Sequence, residues 1–167
     1  INMYFITNHD ENSWAGTLQE RMPEKKDIFT ALIYTLPGMP LIYSGQEYDL
    51  NHRLAFFEKD TIPKKSGAYF DLLEKLGSLK NTELALHGGH RPAAIQFIAT
   101  ASDDVLHFKR NKNGEAIHFI GNFSDQSAST SLPESRSFID LLTNTPLDMD
   151  DQTLSLGPWD FVMLKAK

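Results

Sequence analysis

Cysteine is absent from the 167 residues. That excludes disulfides, thiolate nucleophiles and cysteine-held zinc together. Also missing is any apolar run near the roughly 18 residues that a membrane-spanning helix needs. Basic residues are in deficit, with 16 Lys and Arg against 22 Asp and Glu and a formal net charge of −6. Nucleic acid needs a basic surface to neutralise its phosphates, so this balance argues against it as a partner. Without cysteine the compartment stays open; a periplasmic or extracellular setting is expected ahead of the cytoplasm. No cofactor and no metal is expected. His87 and His90 stand three apart, but no carboxylate or third histidine accompanies them. Internal repeats and low-complexity segments are lacking as well.

What is present suits a packed chain. The apolar fraction is 41%, close to the globular average, and the length fits one domain or two small ones. Ile1-Asn2 leads at once into Met3-Tyr4-Phe5-Ile6, which reads as a longer protein cut at this point. Met3 to Thr7 is a short continuous apolar run, as in a strand buried on both faces. The polar segment Asn8 to Ser13 reads as a loop, and a helix is expected from Pro23-Glu24. Phe29, Leu32, Ile33 and Leu36 form its apolar stripe, and Pro37-Gly38 stops it. Pro40 to Ser44 reads as a second buried strand, Gly45-Gln46-Glu47 as a loop, and the stretch to about Lys65 as irregular. Tyr69, Leu72, Leu73 and Leu76 then repeat the helical spacing. Strand, helix, strand, helix is the order that builds a parallel sheet.

From about Leu86 the pattern changes to short apolar runs separated by turns. Strands are expected at Ala94–Ala99, Val105–Lys109, Ala116–Asn122, Phe138–Leu142 and Trp159–Leu164. Asn113-Gly114 is a strong hairpin signal. It sets Phe108 opposite Phe119, with Leu106 and Ile117 on the same face. His107, Lys109 and His118 then point to the other face and read as solvated. A small antiparallel β-sandwich is expected, with the boundary between Asn81 and Gly89.

The first third carries a resemblance. Phe5-Ile6-Thr7-Asn8-His9-Asp10 resembles the F-x-x-N-H-D segment that closes the seventh barrel strand in the α-amylase family. Gly38 to Glu47 (GMPLIYSGQE) resembles that family's eighth-strand pattern, G-x-P-x-x-Y-x-G-x-E. The resemblance implies an α/β fold class: a remnant of a (β/α)₈ barrel, its last two βα units, over 1–84, then an all-β antiparallel sandwich over 85–167. By the same resemblance Asp10 is the third carboxylate of a retaining glycosidase, the transition-state stabiliser. His9 and Asn8 would bind the same sugar. Trp14, specific to this loop, offers a flat apolar face to a pyranose.

The sequence departs from the family in one respect. The nucleophile in G-x-R-x-D and the following acid have no counterpart; Gly89-His90-Arg91-Pro92 has the glycine and arginine but no aspartate. The implied parent acts on α-1,4-linked glucans or maltodextrins, and this piece alone is expected to be inactive. Two alternatives stand beside it: a non-catalytic amylase-like protein, and a carbohydrate-binding module. The latter needs exposed aromatics, and only Trp159 offers itself, next to Phe161 and Met163, whose alternation suggests burial. Tyr43 reads as core, Glu47 as holding its loop, and the Lys25-Lys26 and Lys64-Lys65 pairs as solvated. Phe29, Leu32, Ile33, Leu36, Leu72 and Leu76 are expected to be buried, either against the sandwich or in self-association of the barrel remnant.

Overall fold

The computed structural model describes residues 1–132, 137–147 and 153–167. Strands β1 (Met3–Tyr4) and β2 (Met39–Pro40) pair in parallel, Met3 opposite Met39. Parallel neighbours need a crossover. Here it consists of a π-helical turn at Glu11–Ala15, helix α1 (Leu18–Arg21) and helix α2 (Lys26–Thr35). Thr17 and Glu20 close a capping box that starts α1. The segment after β1 is therefore helical rather than a loop, and α2 begins past Pro23-Glu24. Both strands are shorter than expected, and Met3, Phe5 and Met39 are exposed. Among the described residues no further strand flanks the pair to extend the ladder or cover that face.

A turn at Gln46–Tyr48 follows β2, and residues 49–66 carry no helix or strand. Helix α3 (Ala68–Thr82) and a short turn at Leu84–Leu86 lead into the β region. Eight described strands follow: β3 (Ala94–Phe97), β4 (Val105–Lys112), β5 (Glu115–Asn122), β6 (Ala128–Ser131), β7 (Phe138–Asp140), β8 (Thr145–Leu147), β9 (Thr153–Leu156) and β10 (Phe161–Ala166). Six form one antiparallel sheet in the order β3-β4-β5-β10-β7-β8, and β6 pairs with β9 in a second. The β4–β5 hairpin turns on Asn113 and Gly114, both at positive φ (54° and 87°), as a type I′ turn requires. Phe108 pairs with Phe119, as the sequence predicts.

The large sheet is covered on both faces. One face buries Phe108, Ile117, Phe119 and Met163 against Ile28, Ala31 and Tyr34 of α2 and Tyr69, Leu73 and Leu76 of α3. The other buries Val105, Ile120, Phe138 and Leu164 against Leu132, Leu154 and Leu156. This second layer overturns the reading of His107 and His118 as solvated. They are 1% and 3% exposed, and His107 Nε2 lies 2.9 Å from His118 Nδ1. The helix stripe also needs correction. Ile33 and Leu76 are buried, whereas Phe29, Leu32, Leu36 and Leu72 only flank the core. The apolar residues fully buried in α2 are Ile28 and Ala31, one position round the helix. Ile28 fits because Gly121 has no side chain: a Cβ there would lie 2.9 Å from Ile28 Cδ1.

Polar groups tie the helices to the sheet. Arg110 is fully buried on the helix-covered face. Its guanidinium donates to the carbonyls of Thr35, His87 (3.0 Å) and Ala93 (3.2 Å). Thr30 Oγ1, Tyr69 OH and Gln46 Nε2 form a buried chain with spacings of 2.7 and 3.1 Å. Burial, more than those hydrogen bonds offset, pushes the Tyr69 phenol up to about 12. Nor are Lys25 and Lys26 merely solvated. Lys26 donates to Asp49 at 2.6 Å, and Lys25 sits 4.4 Å above the half-buried Trp159 ring. Among the described residues no helix is long and apolar enough to cross a membrane.

Candidate functional site

The chain leaves β1 through Ile6 and buried Thr7 and reaches Asn8, His9 and Asp10 at the strand's C-terminal end. Asn8 turns back on the backbone, its Oδ1 accepting from Glu11 N–H at 2.9 Å. His9 and Asp10 point outward, both more than half exposed, with His9 Nε2 3.5 Å from Asp10 Oδ2. Arg21 braces the turn from behind: it donates to the Ile6 carbonyl at 2.9 Å and pairs with Glu11. A cavity of about 250 Å³ opens at the same end, lined by Met3, Phe5, Asn8, His9 and Leu41 to Ser44. Tyr43 lines it and is half-buried, so it is not core.

The turn carrying Asp10 is fixed to residues 49–66. Asn12 is buried; its Oδ1 accepts from Leu54 N–H at 2.8 Å, and its amide donates to the His52 carbonyl at 3.3 Å. Ser13 donates to the Leu54 carbonyl at 2.7 Å. Asp60 closes the loop, accepting from Ala55 N–H and Thr61 N–H at 2.8 and 2.7 Å and pairing with His52 at 2.9 Å. Those two backbone donors, then His52, hold its carboxyl down at about 2. This tethering aims aromatic rings beside His9: Phe56 lies 5.6 Å from the His9 ring and 5.4 Å from Trp14. The role assigned to Glu47, holding the turn after β2, falls to Gln46, whose Oε1 accepts from Tyr43 N–H at 3.1 Å.

The four residues singled out in the sequence thus sit at one end of the parallel pair, with Asn8 committed to the backbone. Phe56, Phe57 and Asn12 are additions. The signal for the phenylalanines was an aromatic doublet in a stretch with no period to bury it. Chemically, the end offers a carboxylate and an imidazole side by side, an open cavity and flat apolar rings. Such a surface suits a polyhydroxylated ring. A larger cavity, about 880 Å³, opens at the opposite end, by Ile1, Gly38, Met39 and Lys80. There burial pulls the Lys80 ammonium down to about 8 while it donates to the Leu36 carbonyl at 2.9 Å. Among the described residues no group of three or more His, Cys, Asp and Glu could hold a metal ion.

Residues 95–163 match the domain family described as Maltogenic Amylase, C-terminal domain. The α-amylase MalA of Haloarcula japonica is 24% identical over 143 residues, covering 84% of this chain and 21% of that protein. The chain is thus similar to α-amylases, in their C-terminal region. Solved structures of α-amylases share its fold. An α-amylase from Lactobacillus plantarum superposes with a TM-score of 0.78 at 22% identity, over 100% of this chain and 38% of its own. The maltogenic α-amylase AmyB of Thermotoga neapolitana gives 0.78 at 19% identity, over 100% and 42%. The chain therefore spans about a fifth to two-fifths of the amylases it matches. AmyP, solved in complex with maltotriose, gives 0.73 at 13% identity.

Proposed function

We propose that this chain is the C-terminal part of a retaining glycoside hydrolase acting on α-1,4-linked glucans or maltodextrins. Residues 1–84 would be the end of its (β/α)₈ barrel, and 85–167 its C-terminal sandwich. One observation carries the reading: Asn8-His9-Asp10 follows a strand paired in parallel with β2, and the C-terminal ends of both strands open on one cavity. Barrel enzymes carry their chemistry at that end. The complexes of AmyP with maltotriose and maltose support an oligosaccharide substrate.

In this reading Asp10 holds sugar hydroxyls beside the reacting carbon. Its fixed negative charge favours the electron-poor, oxocarbenium-like transition state over the neutral ground state. His9 donates to the same sugar, Asn8 fixes the turn that presents both, and Trp14 covers an apolar ring face. The nucleophile and the acid belong to barrel segments outside this chain, so the chain alone releases no reducing sugar from soluble starch. Its exposed Met3, Phe5 and Met39 would then drive self-association. In the complete protein Asp10→Asn keeps the shape and removes the charge. It should lower kcat on the order of 10²-fold, the scale of one preorganised electrostatic contact, with KM little changed. An intact kcat with a raised KM would assign Asp10 to ground-state binding and overturn the reading.

A further inference from the structure

Of the exposed aromatic side chains among the described residues, three lie together, apart from Phe5 and Phe97. Trp14 is 63% exposed, Phe57 85% and Phe56 38%, yet they are not scattered. Phe56 is the hub, 5.4 Å from Trp14 at 44° and 4.7 Å from Phe57 at 70°. It is also 5.6 Å from the His9 ring. Free rings on a mobile loop would lose much of any contact energy to ordering. These are not free. Asn12 and Ser13 tie the loop to the turn after Asp10 at Leu54, which is buried, and Asp60 clamps the loop's far side. The rings are thus presented rigidly, at a fixed offset from the carboxylate.

Their surroundings say what they suit. Glu58, Lys59 and Asp60 follow Phe57 directly, and the Arg53–Glu20 ion pair lies on the preceding side of the loop. Small apolar faces rimmed by charged donors and acceptors match a pyranose, whose C–H face stacks on a ring while its hydroxyls reach sideways. A protein partner would want a wider apolar field, centrally depleted of charge. We propose that Phe56 and Phe57, with Trp14, form a stacking subsite for one glucose unit of an α-glucan, adjacent to the unit held by His9 and Asp10. The subsite rests on the reading of residues 8–10 as sugar-binding, and it makes the irregular loop 49–66 a determinant of chain-length preference.

The test uses the complete protein and maltoheptaose, with Kd read by calorimetry and folding read by Tm. Phe57→Ala should weaken binding about 5- to 20-fold, the range of one lost stacking contact. Its Tm should not move, since the ring is mostly in solvent. Trp14→Ala should behave likewise, and Trp14→Phe should restore most of the affinity because a flat ring remains. An unchanged Kd for Phe57→Ala beside a large kcat loss for Asp10→Asn overturns the subsite and leaves the first reading standing. A lowered Tm with unchanged Kd shows the rings covered by other polypeptide, and also overturns it. If Asp10→Asn changes neither kcat nor Kd, the reading of residues 8–10 fails on its own account.

Discussion

Replacing Arg110 by methionine should loosen the whole chain. The guanidinium is completely buried and donates to three carbonyls from two separate segments, at Thr35, His87 and Ala93. The Thr35 carbonyl lies at the C-terminus of α2, where the helix leaves its last acceptors unpaired and favours a positive charge. Hydrogen bonds to a charged donor contribute about 1.5 to 3 kcal/mol each, so the three sum to roughly 5 to 9 kcal/mol. Against this stands the desolvation of a cation that lacks a carboxylate partner, several kcal/mol that methionine recovers. His87 keeps a second donor, Ala93 N–H at 3.1 Å, which limits the loss further. The net expectation is destabilisation by about 2 to 4 kcal/mol. At about 2 to 4 °C per kcal/mol for a chain of this size, Tm should fall by roughly 5 to 15 °C. Thermal unfolding followed by circular dichroism reads it directly. Arg110→Lys is the sharper variant: it keeps the buried charge but loses the planar fork, so it should be no more stable than Arg110→Met. A lysine variant close to the parent would show that charge alone suffices and would refute the carbonyl account. So would a methionine variant within about 0.5 kcal/mol of the parent, the ordinary scatter of a neutral change.

The buried His107 gives a pH dependence of known sign. Desolvation first, then His118 and Lys109, lower its pKa from 6.5 to about 4. The unfolded chain therefore takes up the proton first, and stability falls as pH drops through that window. The loss should be about 2 to 3 kcal/mol between about pH 7 and about pH 4.5, measured by urea unfolding, and His107→Gln should abolish that part of the slope. Gly121→Ala forces a Cβ to within 2.9 Å of Ile28 Cδ1 and should cost about 1 to 3 kcal/mol. Adding Ile28→Val removes the clashing methyl, so the double variant should be less destabilised than the two single losses summed, and simple additivity would disprove the clash.

Local chemistry was legible in the sequence and distant chemistry was not. The β4–β5 register could be read because Asn113-Gly114 fixes it within a few residues. Asp10 and His9 could be placed at the end of a strand because a short motif marks it, and Trp14 follows four residues on. His107 and His118 were misplaced because their cover comes from β6 and β9, whose Ala-Ser-Thr-Ser and Thr-Leu-Ser-Leu sequences carry little apolar signal. Arg110 shares the face of Phe108 by strand parity. Its burial nevertheless depends on carbonyls up to 75 positions away, and no local pattern announces them. Asn12 escaped for the same reason, since its partner Leu54 is 42 residues on. Strands β1 and β2 were overestimated because a continuous apolar run reads as a strand buried on both faces, whereas among the described residues each has a single paired neighbour.

The way α2 and α3 press on the large sheet bears on how such chains can be recombined. A shuffling experiment that cuts near residue 85 would respect the change in sequence pattern and ignore the packing. Ile28 seats on Gly121, Arg110 ties β4 to the end of α2, and Lys165 near the C-terminus pairs with Glu83 at 2.6 Å. A sandwich borrowed from a distant relative would arrive with its own bumps and hollows, and these three fittings would have to be rebuilt together. The two parts are therefore packed as a matched pair. A chimera should regain stability when positions 28 and 83, which face the sandwich from before the cut, are changed to the donor's residues, and not when the crossover point is merely shifted along the chain.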